Sequence, residues 1–190
     1  MVSQALMIDI TDLGNPMIVG AAALVTTIWL WVSRQRDMAQ VFAVAAIATA
    51  VATTTLKLVS ITLGGELYDT IFYMSTGAPS GHTALSAAIY GGIAMLFAVG
   101  SRGALRIGAP LLLLTAIIGV GFTRVALGSH TPADVVAGFL VGGSFAAVVG
   151  FVAARRQREW PPLMPLLASV LAVGLLLHLS GLRFQSPGLL

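Results

Sequence analysis

Apolar residues fill most of this chain in long stretches, which charged or turn-forming residues separate. The stretches lie at about 17 to 33, 38 to 63, 82 to 100, 107 to 128, 132 to 154 and 163 to 181. A transmembrane helix needs about 20 mostly apolar residues, and a single strand in lipid would leave its backbone groups unpaired. The pattern therefore predicts an all-α fold, a polytopic bundle of six transmembrane helices.

Small residues recur inside the predicted helices, as in Gly91-Gly92 and Gly142-Gly143. Such residues let helices approach closely, so we expect one compact membrane domain over residues 17 to 190. Residues 1 to 16 mix apolar and acidic side chains and end at Asn15-Pro16, which is typical of a turn. We predict a short interfacial helix there, assign it no function, and expect no cleaved signal peptide because the first charges are acidic.

Composition excludes an ordinary soluble protein. Hydrophobic residues make up 57% of the 190 residues and charged residues 9%, whereas a soluble domain is about one quarter charged. Cysteine is absent, which excludes disulfides, thiolate metal sites and cysteine nucleophiles. Nothing in the composition predicts an oligomeric state.

The arginines lie mainly in small groups at the ends of the apolar stretches. Three groups hold seven of them: Arg34 and Arg36, Arg102 and Arg106, and Arg155, Arg156 and Arg158. Alternating spans place the three groups on one side, which the positive-inside rule makes cytoplasmic. Both termini and the connections 64 to 81 and 129 to 131 then face the other side, the periplasm in a bacterial inner membrane. This grouping suits membrane orientation and argues against nucleic acid as a partner.

Five ionisable residues stand apart, because each lies at the predicted outer end of a helix. They are Lys57, His82, Arg124, His130 and Asp134. An ionisable group in a span costs about 2.5–3.5 kcal/mol on insertion scales, so five at one level predict a functional site for an anionic substrate. Taken singly, each residue has another interpretation that is as good as a functional one. Asp134 could be only a helix cap, and the two cations could extend to the lipid headgroups. Two motifs, which hold His82, His130 and Asp134, favour the site.

The first motif is Pro79-Ser80-Gly81-His82, which directly precedes an apolar stretch. Ser80 is a candidate N-cap, and the free N–H groups of a helix start bind phosphate. Gly81 lets the anion approach the backbone closely, and His82 would lie beside it.

The second motif begins at Ser129 and ends at Asp134. Thr131 is the predicted N-cap, Pro132 the first helical residue and Asp134 the third, an arrangement that turns Asp134 back towards His130. A carboxylate bonded to one imidazole nitrogen leaves the other free to attack.

Other polar and loop residues receive weaker interpretations. His178 has no charged neighbour in the sequence, so we predict a packed, neutral histidine. Nothing resembles a carboxylate-rich magnesium site, and we predict neither a metal nor a cofactor. The 64 to 81 connection is the longest loop outside the membrane, and it carries apolar residues suited to a lipid access route. These are Leu67, Ile71, Phe72 and Met74.

The motifs resemble the type 2 phosphatidic-acid phosphatase family. Its signature is Lys with Arg-Pro seven residues later, then Pro-Ser-Gly-His, then Ser-Arg, five residues, His, three residues and Asp. The second part matches in full, and the third matches in spacing, with Thr123 in place of Ser. Lys57 fits the first part, but Gly64 and Gly65 stand where Arg-Pro is expected. The likeness by motif covers residues 57 to 134.

The resemblance implies a metal-independent enzyme that removes phosphate from a membrane lipid. His130 would attack phosphorus to form a phosphohistidine, and Asp134 would orient His130. His82 would protonate the leaving oxygen and then activate water. The residues implied to bind the phosphate oxygens are Arg124, Lys57, Ser80 and Gly81.

Several substrates fit this resemblance, namely undecaprenyl diphosphate, phosphatidylglycerol phosphate, phosphatidic acid and lipid A. A polyprenyl diphosphate is slightly favoured, because the chain offers no sizeable domain outside the membrane to bind a large headgroup. Two alternatives stay open: a lipid phosphotransferase with the same site, and a non-catalytic lipid-binding or transport protein, which the missing Arg-Pro motivates. The soluble haloperoxidases that share the motif pattern are excluded by hydropathy.

Overall fold

The computed structural model describes residues 3–62, 78–156 and 159–182, and every regular element in these residues is a helix. The helices of the described chain are α1 Gln4–Asp12, α2 Pro16–Val32, α3 Arg36–Thr62, α4 Gly81–Gly100, α5 Leu105–Ala126, α6 Pro132–Ala154 and α7 Met164–Ser180. The predicted all-α fold is confirmed. The ends of the six long helices differ from the predicted ends by at most two residues.

Five helical stretches are long and apolar enough to cross a membrane. They are Gln4–Val32, Arg36–Ser60, Gly81–Gly100, Leu105–Ala126 and Pro132–Ala154. Helix α7 is also apolar but has only 17 residues, so the count of six spans stays a prediction. The outer faces of the bundle expose large apolar side chains, which suit contact with lipid. Examples are Leu24, Val44, Leu111, Leu140 and Leu175.

Helix α4 lies at the centre of the bundle, where α2, α3, α5 and α6 pack around it. Its apolar window is 67% buried, against 22–39% for the other four candidate spans. Ile93, Leu96 and Phe97 of α4 are fully buried beside Phe42 of α3. The Pro-Ser-Gly-His motif lies at the start of this helix, so the central element of the fold carries three of the seven predicted site residues: Ser80 as its N-cap, Gly81 and His82.

The closest packing joins α4 to α6 through small residues. A Cβ atom on Gly142 would lie 2.0 Å from the carbonyl oxygen of Ala84, and one on Gly91 would lie 2.9 Å from the Cβ of Ala146. Backbone approach of this kind requires glycine, as predicted for both positions. Gly143 has open space around it, so the expectation of close approach is wrong for that residue.

The α2–α3 turn, the α4–α5 turn and the chain after α6 meet at one end of the bundle. We call it the arginine end, because the described arginines of the three sequence groups lie there. They are Arg34, Arg36, Arg102, Arg106, Arg155 and Arg156. Arg156 pairs with Asp37, and the Gln35 side chain donates to the Glu159 carbonyl at 3.1 Å. These contacts fix the turn between α2 and α3 to the chain between α6 and α7. The opposite end, which holds the starts of α4 and α6, is the motif end.

Helix α1 is the short helix predicted within residues 1 to 16. It packs against α5, where Ile10 lies next to Gly119. Its carboxylates reach α7: Nε2 of His178 lies 3.7 Å from Oδ1 of Asp9, and Nδ1 lies 3.5 Å from Oδ2 of Asp12. His178 has no charged neighbour in the sequence, but the fold gives it two acidic neighbours from the other end of the chain. Its neutral state stays a prediction.

Candidate active site

A cavity of about 360 Å³ opens at the motif end. Five of the seven predicted site residues line it: Lys57, Gly81, His82, Arg124 and His130. They come from α3, α4, α5 and the turn before α6, so the fold brings together residues that are far apart in the sequence. A larger cavity of about 660 Å³ lies at the arginine end, near Arg102 and Glu159, and no predicted site residue lines it.

A tight turn after α5 holds Arg124 beside His130. The backbone carbonyl of Arg124 accepts hydrogen bonds from the N–H groups of Ser129 at 3.1 Å and His130 at 3.2 Å. Gly128 has a φ of 68° in this turn, a left-handed conformation that glycine adopts without strain. A glycine directly after a helix is a recognised end signal, and it marks this turn in the sequence.

The start of α6 orients Asp134 towards His130, as predicted. The Thr131 hydroxyl accepts from the N–H of Asp134 at 3.3 Å, and the Asp134 carboxylate accepts from the N–H of Thr131 at 2.9 Å. This reciprocal cap turns the fully buried carboxylate back, so that its Oδ2 lies 3.5 Å from Nδ1 of His130. The remaining ring nitrogen, Nε2, is the one left for chemistry.

His130 lies in the turn between two candidate spans. Burial lowers the pKa of His130 below its ordinary value of 6.5, and the positive charge of Arg124 lowers it further, while Asp134 acts in the opposite direction. The imidazole is therefore uncharged at neutral pH. An uncharged ring has the free lone pair that a nucleophile needs.

The two cations of the cavity are not neutralised within the described chain. No carboxylate of the described residues lies within 4.0 Å of the Lys57 ammonium or the Arg124 guanidinium. The Nε atom of Arg124 is buried and has no hydrogen-bond partner among these residues. A buried donor without an acceptor is unfavourable by about 1–3 kcal/mol, so the cavity is suited to take up an anion.

The start of α4 adds backbone donors to this charge. Ser80 is the N-cap, as predicted: its hydroxyl accepts from the N–H of Thr83 at 3.4 Å and from the Thr83 hydroxyl at 3.0 Å. The next N–H groups, of Gly81 and His82, have no acceptor within the helix. A Cβ atom on Gly81 would meet nothing within 4 Å, so the cavity reaches the backbone there.

Ser80 and Asp134 differ from the other predicted site residues, because both are fully buried and neither lines the cavity. Ser80 supports the start of α4 from behind, and Asp134 reaches the cavity through His130. Gly64, Gly65 and the apolar loop residues Leu67, Ile71, Phe72 and Met74 lie outside the described residues.

Several residues that line the cavity were not predicted as site residues from the sequence. Thr53 and Thr54 lie on α3 one turn before Lys57, and Pro16 begins α2. The Thr53 hydroxyl donates to the carbonyl of Thr49 at 2.6 Å. Because residues three and four positions apart lie on the same face of a helix, the position of Lys57 could have indicated that both threonines face the cavity. No local feature of the sequence indicates that Pro16 lines it.

Among the described residues, a possible set of metal ligands is Asp9, Asp12 and His178, whose ligand atoms lie within 4.8 Å of one another. None of the three lines the cavity at the motif end. The histidines of that cavity form no such group with the carboxylates of the described chain.

Comparison with known proteins places these residues in a family. The family model described as PAP2 superfamily matches residues 57–159, which is more than half of the 190 residues and includes every predicted site residue. A stretch of 77 residues is 35% identical to the lipid A 1-phosphatase of Rhizobium etli, and covers 40% of this chain and 29% of that relative. No solved structure matches the chain. The resemblance seen in the motifs is confirmed, and the chain belongs to the PAP2 superfamily, that of the type 2 phosphatidic-acid phosphatases.

Proposed function

We propose that this protein is a membrane phosphatase that hydrolyses a lipid phosphate or diphosphate through a phosphohistidine. The observation that carries the proposal is the cavity at the motif end, where two histidines, the open start of a helix and two cations meet. No carboxylate of the described residues pairs with either cation. Phosphoryl transfer depends chiefly on positioning and on positive charge around the phosphate oxygens. The superfamily match supports the same class of reaction.

The phosphate group binds between Arg124, Lys57 and the start of α4. The Arg124 guanidinium donates in a fork to two phosphate oxygens, which gives its buried Nε–H an acceptor. The N–H groups of Gly81 and His82 receive another oxygen, favoured by the positive end of the helix dipole. Ser80 acts by holding that helix start in place.

In the first step, Nε2 of His130 attacks phosphorus. A bond forms between nitrogen and phosphorus while the bond from phosphorus to the lipid oxygen breaks, and protonated His82 gives its proton to the leaving oxygen. The bound phosphate supplies the negative charge that stabilises the protonated His82. Asp134, at 3.5 Å from Nδ1, stabilises the charge that develops on His130.

In the second step, water replaces His130 on phosphorus. His82, now neutral, takes a proton from the water as its oxygen attacks, and the bond between nitrogen and phosphorus breaks. Inorganic phosphate leaves, and both histidines return to their starting protonation states. Transfer to the hydroxyl of another lipid instead of water would make the protein a phosphotransferase.

The substrate is a phosphorylated lipid whose chain stays in the bilayer while its headgroup enters the cavity. Apolar helix faces surround the bundle, so the lipid reaches the site from the membrane. The name of the Rhizobium etli relative adds lipid A 1-phosphate to polyprenyl diphosphates, phosphatidic acid and phosphatidylglycerol phosphate as substrates to test.

We propose that the arginine end faces the cytoplasm and that the motif end faces the periplasm of an inner membrane. The absence of cysteine makes single-cysteine labelling a clean test. An impermeant maleimide should label Ser129→Cys, an exposed position at the motif end, in intact cells. Ala104→Cys, exposed at the arginine end, should be labelled only after permeabilisation. The reverse pattern would show the opposite orientation.

The activity is tested by phosphate release from a panel of these lipids with purified protein, in the presence of EDTA. We expect release of inorganic phosphate that His130→Ala lowers by at least about a thousandfold. Label that moves to a second lipid without phosphate release would indicate the phosphotransferase. Wild-type protein that is inactive on the whole panel would favour a lipid-binding or transport protein, and loss of activity with EDTA would contradict a metal-independent mechanism.

A further inference from the structure

The turn between α1 and α2 packs directly against His82. A Cβ atom on Gly14 would lie 3.2 Å from the Cβ of His82, 3.1 Å from the Ser86 hydroxyl and 2.6 Å from Cγ1 of Val120. The Ser86 hydroxyl itself donates to the carbonyl of His82 at 2.6 Å. Gly14 therefore touches both the histidine and the side chain bonded to its backbone.

A hydrogen bond from α4 holds this turn against the rest of the bundle. The hydroxyl of Tyr90, a buried residue of α4, donates to the carbonyl of Leu13 at 2.7 Å. On the other side of the turn, Asn15 caps α2, with its side chain accepting from the N–H of Met17 at 3.0 Å, and Pro16 lines the cavity.

Helix α1 extends the same attachment beyond the turn. Ile10 lies against Gly119 of α5, and Asp9 and Asp12 flank the two ring nitrogens of His178 on α7. In each of these contacts, the partner from α1 or the α1–α2 turn lies outside residues 57–159, which the family model matches.

We infer that the α1–α2 turn, through Gly14 and the Tyr90 hydroxyl that holds it, is a positioning element for His82. The inference rests on the proposed function, in which His82 transfers protons. The turn forms the wall behind His82 and limits the imidazole to the side of the cavity where Arg124 and His130 lie. Gly14 and Tyr90 act through His82 and touch no substrate atom.

The structure leaves no room for a larger residue at this position. Val120 is fully buried, so its Cγ1 cannot easily move out of the way of an added methyl group. With alanine at position 14, either the turn moves away from α4 or His82 moves into the cavity. Displacement of a catalytic group by a fraction of an ångström to 1 Å lowers a rate by roughly ten- to a hundredfold.

The experiment compares Gly14→Ala with Gly20→Ala on two substrates. Gly20 is an exposed residue of α2 with nothing within 4 Å of an added Cβ, so it controls for the added methyl group. One substrate is a lipid phosphate, whose alkoxide leaving group needs a proton from His82. The other is para-nitrophenyl phosphate, whose leaving group departs without a proton. The quantity compared is kcat/KM, which reports the steps up to phosphohistidine formation.

We expect Gly14→Ala to lower kcat/KM about tenfold or more for the lipid phosphate and less than about twofold for para-nitrophenyl phosphate. Gly20→Ala should leave both values unchanged. Tyr90→Phe keeps the buried ring and removes only the hydroxyl, so it tests the same inference if Gly14→Ala does not fold; we expect a loss of roughly threefold on the lipid phosphate alone. Equal losses on both substrates, or no loss in either variant, would overturn the inference.

A His82→Ala variant separates this inference from the proposed function. Suppose that the wild-type protein is active and that His82→Ala lowers kcat/KM more for the lipid phosphate than for para-nitrophenyl phosphate. If Gly14→Ala and Tyr90→Phe do not show this difference, the proposed role of the turn is wrong and that of His82 stands. If His82→Ala lowers kcat/KM equally for both substrates, the proposed role of His82 is itself wrong.

Discussion

The backbone N–H of Ser80 donates a hydrogen bond to the backbone carbonyl of Asp134 at 3.0 Å. This bond joins the residue before α4 to the first turn of α6, so the two sequence motifs are connected directly through their backbones. The space around it is narrow, since a Cβ atom on Gly138 would lie 2.8 Å from the carbonyl oxygen of Ser80. The separation of His82 from His130 therefore depends on the close packing of α4 against α6.

Gly142→Ala should disrupt this packing, and Gly143→Ala should not. A methyl group on Gly142 would lie 2.0 Å from a backbone oxygen of α4, which cannot rotate away, whereas one on Gly143 meets nothing within 4 Å. We expect Gly142→Ala to destabilise the fold by about 1–3 kcal/mol or more. The measurement is the midpoint of thermal unfolding in detergent together with phosphatase activity. Equal behaviour of these neighbouring variants would contradict the packing described above.

Asp134→Asn should lower kcat with little change in stability. Asparagine keeps the size of the side chain and an oxygen that can accept from the N–H of Thr131, so the cap of α6 is retained. The charge that stabilises His130 in the transition state is lost, for which we expect a decrease in kcat of about a hundredfold or more. Activity close to wild type would show that Asp134 acts only as a helix cap.

The pH dependence of kcat/KM should reflect the uncharged state of His130. Attack requires the unprotonated ring, so activity falls as the pH drops through the pKa of His130. Burial and Arg124 lower that pKa, and the acid limb should therefore lie below pH 6.5. Arg124→Gln removes the positive charge that lowers the pKa of His130, so this variant should move the acid limb to higher pH.

Asp134→Asn should move the same limb to lower pH, because Asp134 raises the pKa of His130. The ionisation of the substrate phosphate is common to all three proteins, so differences between them report on the enzyme. Shifts of the two variants in the same direction would contradict the assignment of the limb to His130.

The two cations should differ in importance. Arg124 presents a planar fork with a buried Nε–H, and Arg124→Lys keeps the charge but loses the second hydrogen bond. We expect this variant to lose about tenfold to a hundredfold in kcat/KM, and Lys57→Gln to lose about tenfold. Arg106→Gln, an exposed arginine at the arginine end, is the control for loss of a positive charge. Wild-type activity in Arg124→Lys would show that charge alone suffices.

Features set by nearby residues could be predicted from the sequence. Two helix caps depend only on neighbours within four positions: the N-cap at Ser80 and the cap formed by Thr131, Pro132 and Asp134. The candidate spans follow from apolar stretches of helical length. Topology then places Lys57 at the same end as both motifs.

Contacts between distant segments could not be predicted in this way. Gly14 lies against His82, and His178 lies against Asp9 and Asp12, but nothing in the local pattern links these residues. Both depend on how α1 packs onto α5, which also brings its carboxylates to His178 of α7. Helical periodicity alone gives the apolar face of a helix without identifying the neighbour that covers it.

The proposed mechanism depends on a covalent intermediate on His130, and trapping this intermediate tests it most directly. Purified protein is mixed with a radiolabelled lipid phosphate, quenched in base within milliseconds, digested, and the labelled peptide is sequenced by mass spectrometry. We predict a base-stable, acid-labile phosphate on His130 that is absent from His130→Ala. Phosphate release by the wild-type protein with no label on His130, or release by His130→Ala at the wild-type rate, would contradict the mechanism.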